Sequence, residues 1–206
     1  MSDQLYISSG CKIDDRHVFK DGDLLLGKKI AGAEWFLGVY KYFGFDYPKF
    51  YKMDNLSKLG WLATEILLQN SFLKTYQPED VGIVLFNKSS SLDTDIKYFE
   101  TVKTIASPAL FVYTLPNIVM GEISIRHHLK GENALFVSEQ FDIGFMKQYV
   151  EDLFTNSSVQ SCICGWLEFF GNNVEAALYL VEKTKNGISL PFTEENINKL
   201  YRLTNG

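Results

Sequence analysis

Residues 134–153 read Ala-Leu-Phe-Val-Ser-Glu-Gln-Phe-Asp-Ile-Gly-Phe-Met-Lys-Gln-Tyr-Val-Glu-Asp-Leu and decide the fold assignment. The first four residues form a short apolar run that is typical of a strand. The later apolar residues recur at spacings of three and four, which predicts a helix over 142–153: Ile143, Met146, Val150 and Leu153. The segment therefore predicts a strand, a turn at Ser138–Gln140, and a helix.

The same alternation of strands and helices extends along most of the chain. Apolar runs predict strands at Leu5–Cys11, Val81–Phe86 and Ser161–Leu167, a short strand or a bend at Leu24–Lys29, and a loop or strand at 172–183. Helical spacing predicts helices at 33–43, 55–70, 94–104 with Asp93 as N-cap, 117–129 ending before Lys130-Gly131, and a last helix after Pro191. Residues 12–23, 46–52 and the segment between Pro108 and Pro116 are interpreted as turns or irregular loops. This order favours an α/β layered fold with a mostly parallel sheet flanked by helices.

The composition excludes several classes of protein. The chain has 206 residues, of which 46% are hydrophobic, and a net charge of −5, which indicates one globular domain over 1–206 rather than a nucleic-acid-binding protein. The amino terminus has no secretory signal pattern, and the most apolar stretch, Ala109–Met120, is too short to span a membrane. Three cysteines, Cys11, Cys162 and Cys164, form neither a disulfide framework nor a zinc motif, so we expect a cytoplasmic protein without metal or cofactor.

Four segments in order resemble the amino-terminal half of β-ketoacyl synthases, which have the thiolase-like fold. They are Lys52–Leu59, Pro78–Val84, the block from Ser107-Pro108 through Thr114-Leu115-Pro116-Asn117 to Gly131-Glu132-Asn133, and Cys164-Gly165-Trp166-Leu167-Glu168. The resemblance spans roughly residues 5–170 and implies a single half domain with a carboxy-terminal tail helix at 190–206. The tail 187–206 resembles no family segment, and together with segment 33–51 it is a candidate to cover the sheet.

The resemblance places Gln140 at the position of the family's nucleophilic cysteine. The preceding Glu139 makes the pair similar to that of chain-length factors, the non-condensing partners of polyketide ketosynthases. The family's cysteine lies at the amino end of a buried helix, where the helix dipole favours the thiolate that carries the acyl chain. A glutamine amide is neutral and not nucleophilic, so the resemblance implies no catalytic residue at this site.

The other candidate catalytic residues do not match the family's positions. The family's catalytic histidines and lysine come from its carboxy-terminal half, which this sequence does not contain. We interpret His17, His127 and His128 as surface or helix-face residues, and the three cysteines as core residues.

The resemblance also implies an interface. In the family, the strand before the nucleophile pairs with its mate across a two-fold axis, and the Thr-x-x-Asn segment lies beside the partner's acyl tunnel. The corresponding interface and tunnel residues are Phe111, Tyr113, Thr114, Leu115, Asn117, Ala134, Leu135, Phe136, Val137 and Ser138. An alternative for Phe111 and Leu115 is ordinary core packing, and the sequence leaves both interpretations open.

These expectations lead to three hypotheses of function. The first is a non-catalytic, chain-length-factor-like subunit that pairs with an active β-ketoacyl synthase in polyketide, aryl-polyene-like or fatty-acid-like assembly on an acyl carrier protein. The second is a decarboxylase whose site is shared with a partner, since glutamine also occupies this position in decarboxylating loading domains. The third is a homodimer that binds acyl groups or carrier protein.

Overall fold

A single mixed sheet forms the centre of the computed structural model, which describes residues 4–27, 33–71 and 73–203. Its strands run in the order β3-β2-β1-β7-β6-β4-β5, and β8 pairs with β1 beside this path. The strands are β1 (Tyr6–Ile13), β2 (His17–Lys20), β3 (Asp23–Gly27), β4 (Val81–Asn87), β5 (Asn133–Val137), β6 (Ser161–Phe170), β7 (Asn173–Glu182) and β8 (Leu190–Pro191). The layered α/β fold is confirmed.

The expectation of a mostly parallel sheet is wrong. Only the β5-β4-β6 side is parallel, and the other five ladders between described strands are antiparallel. Tight hairpins cause the difference, because a short turn can join only antiparallel neighbours. Gly171, at a φ of 60°, turns β6 directly into β7. Residues 12–23, interpreted as turns, contain the end of β1 and all of β2, joined where Asp14 accepts hydrogen bonds from the Arg16 and His17 amides.

Seven α-helices form within the described residues: α1 (Ala33–Tyr42), α2 (Asn55–Leu67), α3 (Leu92–Val102), α4 (Pro108–Val112), α5 (Ile118–His127), α6 (Ile143–Asn156) and α7 (Glu194–Tyr201). Segments 46–52 and 108–116, expected to be irregular, contain a 3-10 turn at Pro48–Lys52 and helix α4. The N-cap of α3 is Ser91 rather than Asp93, whose carboxylate instead binds Lys97 in the next turn at 2.6 Å. Helix α5 ends at His128 in the left-handed conformation, three residues before Gly131.

The helices pack on both faces of the sheet. Helices α1, α2 and α5 cover one face, where α2 is buried around most of its circumference and Trp61 is fully buried. Helices α6 and α7 cover the other face through Met146, Val150, Ile197 and Leu200. The described parts of segments 33–51 and 187–203 therefore lie on opposite faces of the sheet. The tail, expected to be one helix over 190–206, contains strand β8 and then helix α7, and residues 204–206 lie outside the described residues. None of the helices in the described part of the chain is long and apolar enough to cross a membrane.

Candidate functional site

The loop 138–142 joins the carboxyl end of β5 to α6 and contains Gln140. The Ser138 amide donates a hydrogen bond to the Asn87 carbonyl oxygen at 2.9 Å, and Ser138 Oγ donates to the Gln140 carbonyl oxygen at 2.9 Å. Glu139 and Gln140 are exposed, and no described residue forms a hydrogen bond with the Gln140 side-chain amide. Asp142 caps α6 by accepting a hydrogen bond from the Phe145 amide at 2.9 Å. Gln140 therefore precedes the amino end of α6, as the sequence predicts.

Helix α6 is half-buried rather than buried all round. Its inner face packs on the sheet through Met146 and Val150, whereas Phe145 on the first turn is 43% exposed. A helix is buried on every side only where a second layer packs on its outer face, and the described residues place none there. Gln140, before this first turn, is also exposed to solvent.

Phe141 anchors the Gln140 loop to the protein. Its ring centroid lies 5.8 Å from that of Trp166 in β6 and 5.2 Å from that of Tyr201 in α7. Tyr201 is itself held by Lys12, whose ammonium lies 4.3 Å from the ring centroid and 2.5 Å from Glu175. Burial and then the Glu175 carboxylate raise the pKa of Tyr201 to about 12. The tail helix α7 therefore supports the loop that holds Gln140.

A buried carboxylate holds the neighbouring loop after β4. Glu168 at the end of β6 is 1% exposed, and its Oε2 accepts hydrogen bonds from the Lys88 amide at 2.8 Å and the Ser89 amide at 3.0 Å. The Ser89 hydroxyl donates to Oε1 of the same carboxylate. The sequence pattern contains Glu168 but does not reveal this role, because Lys88 and Ser89 lie 79–80 residues away.

The loop held by Glu168 connects the Gln140 region to the Thr114–Asn117 segment. Ser91 Oγ donates a hydrogen bond to the Thr114 carbonyl oxygen at 2.7 Å. The neighbouring Tyr113 is buried and donates to Glu122 at 2.9 Å, and Lys49 lies 2.7 Å from the other oxygen of Glu122. Burial and then the hydrogen bond to Glu122 raise the pKa of the Tyr113 hydroxyl.

Of the predicted tunnel residues, Phe111 and Leu115 are not core residues in this chain. Their side chains are 57% and 58% exposed, and Asn117 is also exposed. Phe111 contacts Tyr98 of α3, with ring centroids 5.5 Å apart. Helix α3 packs on α4 and also carries exposed apolar side chains. We call the exposed apolar residues of the two segments the α3–α4 surface: Ile96, Phe99, Val102, Phe111, Val112 and Leu115.

Strand β5 is at the edge of the sheet. Among the described strands, it pairs only with β4, in parallel register. Leu135 packs on the α2–α5 side, and Phe136 packs on the α6 side, where its ring stacks on Phe86 at 4.9 Å. Ala134 and Ser138 are half-buried, and Val137 is 56% exposed. The other edge of β5 therefore offers free backbone hydrogen-bonding groups.

Solved structures with this arrangement were found, whereas no family model and no curated protein matches the chain. The ishigamide ketosynthase/chain length factor aligns with a TM-score of 0.64 at 17% identity, over 91% of this chain and 64% of that chain. A type II polyketide acyl-carrier protein in complex with its ketosynthase, AntDE:AntF, aligns with a TM-score of 0.60 at 15% identity, over 88% and 63%. This chain has the thiolase-like fold of ketosynthases and chain length factors. It spans less than two thirds of the length of those two chains.

A third structure of this fold has a chain of similar length. The complex of a ketosynthase, ApeO, with its chain length factor, ApeC, from Xenorhabdus doucetiae aligns with a TM-score of 0.54 at 13% identity. The alignment covers 96% of this chain and 90% of that chain. The fold therefore occurs at this length in a ketosynthase–chain length factor complex.

The three cysteines lie in the core of this ketosynthase-type fold, and none of them belongs to the Gln140 loop. Cys11 belongs to β1, and Cys162 and Cys164 belong to β6; all three are at most 3% exposed. Burial raises the pKa of Cys11 to about 12 and raises that of Cys164 well above its ordinary value. A protonated, enclosed thiol is a poor nucleophile.

The histidines lie outside the Gln140 region. His17 contacts Asp14 at 3.1 Å, and His128 caps α5. His127 lies 3.0 Å from Glu65, which also accepts two hydrogen bonds from Arg126. Burial alone would raise the pKa of Glu65, but the hydrogen bonds from His127 and Arg126 outweigh it and lower that pKa. Across the described ranges, no three His, Cys, Asp or Glu side chains are grouped to hold a metal ion.

Thiol labelling can locate the Gln140 side chain in solution. Under native conditions, a disulfide reagent such as dithionitrobenzoate should react with none of the three buried cysteines within minutes. The variant Gln140→Cys should release about one equivalent of chromophore rapidly, because position 140 is exposed. Leu59→Cys, at a fully buried position, is the control that should stay unreactive. Slow labelling of Gln140→Cys would contradict the described position of the loop.

Proposed function

We propose that this chain is a non-catalytic, chain-length-factor-like subunit that pairs with an active β-ketoacyl synthase in the cytoplasm. The pair would assemble polyketide, aryl-polyene-like or fatty-acid-like chains on an acyl carrier protein. One observation carries the proposal: the turn between edge strand β5 and helix α6, in a ketosynthase-type fold, holds the carboxamide of Gln140. The chain from 1 to 206 would act as one half domain.

The chemistry of Gln140 supports a role without covalent catalysis. Loading an acyl chain requires a nucleophile that can displace the carrier thiol, and a neutral amide is not nucleophilic at pH 7. The three thiols cannot replace it, because they are buried in β1 and β6. The partner would therefore supply the reactive cysteine and the groups that stabilise the transition state.

The open edge of β5 and the α3–α4 surface support pairing with another subunit. An unpaired edge strand can add a strand from another chain through its backbone groups. Val137 on β5, and Phe111 and Leu115 in the 108–115 segment, are all more than half exposed. Apolar surface of this kind is typical of an interface. Hydrogen bonds connect β5 to the segment that carries Phe111 and Leu115. The Ser138 amide donates to the Asn87 carbonyl oxygen, and the Asn87 side chain donates to the Ser90 carbonyl oxygen. Ser91 Oγ then donates to the Thr114 carbonyl oxygen.

In this complex, Phe111 and Leu115 would face the partner's acyl pocket. Large side chains at these positions would shorten the space for the growing chain, and smaller ones would lengthen it. The ketosynthase complexes of the same fold, one with a chain length factor and one with an acyl carrier protein, support both kinds of partner. Tyr113 would keep this segment in place through Glu122.

Co-expression with a ketosynthase encoded nearby, followed by native mass measurement, tests the proposal. We expect a stable heterodimer, and Val137→Lys should weaken it about 100-fold by placing a charge in the buried interface. The matched control is Leu24→Lys, since Leu24 is a 41% exposed residue of strand β3 at the opposite edge of the sheet. This variant should assemble normally.

The alternatives predict different outcomes. A homodimer that ignores every such ketosynthase, and that Val137→Lys dissociates, would favour a self-associating binding protein. Carbon dioxide release from malonyl carrier protein by the complex, lost in Gln140→Ala, would favour a decarboxylase with a shared site. A stable monomer in every co-expression would contradict the proposal.

A further inference from the structure

Helix α3 turns polar residues toward the rest of the chain. Across this helix, which the structure describes in full, only Thr94 is buried, and its hydroxyl donates a hydrogen bond to Asp54 at 2.7 Å. Thr101, seven positions later, is half-buried, and its hydroxyl accepts a hydrogen bond from the Ser107 amide at 3.0 Å. A surface helix usually packs its apolar side on the core, so this polar inner side is unusual.

The apolar side chains of α3 form a stripe that faces solvent. They follow one another at spacings of four, three and three residues, which places them along one side of the helix. Each is between 42% and 64% exposed, and we call them the α3 stripe: Leu92, Ile96, Phe99 and Val102. An apolar surface that is exposed in this way and bordered by polar residues is typical of a binding surface.

The residues of the stripe and the charges beside it are arranged so that α3 complements a second copy of itself. Asp95 and Lys103 lie four positions before and after Phe99, and Ile96 and Val102 lie three positions before and after it. When two α3 helices pack antiparallel with Phe99 on the two-fold axis, residues at equal distances from Phe99 oppose each other. Asp95 then faces Lys103 of the second copy, and Ile96 faces Val102.

Both charged groups of this arrangement are available for a contact between copies. The Lys103 ammonium pairs with Glu100, but the two side chains are 58% and 61% exposed, and exposed pairs of this kind contribute little. Asp95 accepts hydrogen bonds from the Ser91 hydroxyl at 3.1 and 3.2 Å, and it forms no ion pair with any residue that the structure describes. Opposite charges at these two positions therefore favour the antiparallel register.

The charge of the helix disfavours a lipid surface as the occupant. Between positions 92 and 103, three carboxylates stand against two ammonium groups: Asp93, Asp95 and Glu100 against Lys97 and Lys103. Helices that lie on membranes usually carry an excess of Lys and Arg on their polar side, which attracts anionic headgroups. A second protein surface with matching apolar residues and charges suits the stripe better.

We propose that α3 is a self-association surface, through which two copies of this chain dimerise with their α3 helices antiparallel. Helix α3 has 11 residues and is about 16 Å long, so the contact covers less than the roughly 800 Å² per partner of a standard interface. The dimer is accordingly weak, with a dissociation constant of about 10 to 100 μM. This contact concerns the chain alone and does not depend on the proposed function.

Sedimentation velocity of the full chain at rising protein concentration measures the association. We expect a reversible monomer–dimer equilibrium, and Phe99→Lys should raise its dissociation constant at least about 10-fold by placing like charges at the two-fold axis. Phe99 is 64% exposed, so this variant should keep the melting temperature of the unmodified chain. The matched control is Tyr42→Lys, since Tyr42 lies on α1 and is 59% exposed; it should dimerise normally.

Exchange of charges tests the antiparallel register. Asp95→Lys and Lys103→Asp should each dimerise about 10-fold more weakly alone, because like charges then oppose each other. An equimolar mixture of the two variants should associate about as well as the unmodified chain, because every opposed pair again joins opposite charges. Val137→Lys on β5 should leave this dimer unchanged, which separates the α3 contact from pairing through the edge of the sheet.

Three results would overturn the proposal. The first is a chain that stays monomeric at concentrations above about 200 μM, well beyond the expected dissociation constant. The second is a dimer that Phe99→Lys leaves unchanged, and the third is a mixture of the two charge variants that associates no better than either alone. A monomer whose pairing with a ketosynthase is weakened by Phe99→Lys would assign the stripe to that pair, so that the proposed function stands and self-association fails. A monomer that sediments with phosphatidylcholine–phosphatidylglycerol vesicles would assign the stripe to a membrane instead.

Discussion

Replacing Gly165 with alanine should lower the free energy of unfolding by about 4 kcal/mol, the sum of backbone strain and overpacking. Gly165 lies in the middle of β6 with a φ of 147°, a conformation that side-chain-bearing residues rarely adopt. A Cβ atom at this position would lie 2.0 Å from the backbone carbonyl oxygen of Ala177 on β7. The central β6–β7 ladder would have to shift, and no flexible side chain can absorb the clash. Chemical denaturation followed by tryptophan fluorescence measures the change.

A second glycine separates the two causes. Gly171 also has a positive φ, of 60°, but no atom lies within 4 Å of the position where its Cβ would be. Gly171→Ala should therefore cost only the left-handed backbone penalty, about 1 kcal/mol. If both variants lose the same small amount of stability, the close approach of Gly165 to β7 is contradicted.

Replacing Glu168 with alanine should cost about 4 kcal/mol, because the variant removes a buried carboxylate that accepts three hydrogen bonds, from the Lys88 and Ser89 amides and the Ser89 hydroxyl. Glu168→Gln keeps the shape of the side chain and an acceptor oxygen, so it should cost about 1 kcal/mol. Hydrogen exchange should show the local effect, since the Lys88 and Ser89 amides lose their acceptor only in the alanine variant.

Glu168→Ala also tests whether the 88–91 loop contributes to pairing with a ketosynthase. The 88–91 loop connects to Thr114 through Ser91, so Glu168→Ala should also weaken pairing with a ketosynthase. Glu79→Ala is the control, because Glu79 is 59% exposed and its pair with Lys130 spans 3.4 Å. This change should alter stability by less than about 0.5 kcal/mol. Unchanged exchange at Lys88 and Ser89 in Glu168→Ala would contradict the role of the carboxylate.

The sequence predicts an element of the fold well where that element has a strong local pattern. The apolar stripe of α2 and the spacing of α6 place both helices within a few residues of their observed bounds. Their inner faces are decided by spacing along one helix, which the sequence contains directly. The prediction of Asp93 as the N-cap of α3 was wrong, because Ser91, two residues earlier, is also a good capping residue. Contacts of Asp93 with Asn55 and Lys97 place it inside the helix.

The prediction of secondary structure and strand direction fails where an element depends on residues far away in the chain. Lys12 made residues 12–23 look like a polar turn, yet it is 7% exposed inside a strand. Its charge is balanced by Glu175, 163 residues away, and no local pattern reveals that pair. The mostly parallel sheet was wrong for a related reason. The short hairpins β1–β2, β2–β3 and β6–β7 set the direction of neighbouring strands, whereas alternation of strands and helices suggested crossovers.

For the candidate site, the sequence determined that Gln140 follows β5 and that its side chain is not a nucleophile. Position 140 carries a carboxamide whatever the surrounding structure, and counted motifs were enough to place it before a helix. The exposure of Phe111 and Leu115, left open by the sequence, depended on which elements pack over α4. The ring contacts of Phe141 and the hydrogen bonds that Glu168 accepts likewise depend on the tertiary structure.

The sequence by itself determined the kinds of elements, the faces of the helices and the absence of a thiol at position 140, because these follow from residue identity and short-range spacing. Only the tertiary structure decided the strand order, the open edge of β5 and the exposure of Phe111 and Leu115. Those features arise from residues far apart in the chain, whose contacts form only when the whole sheet is assembled.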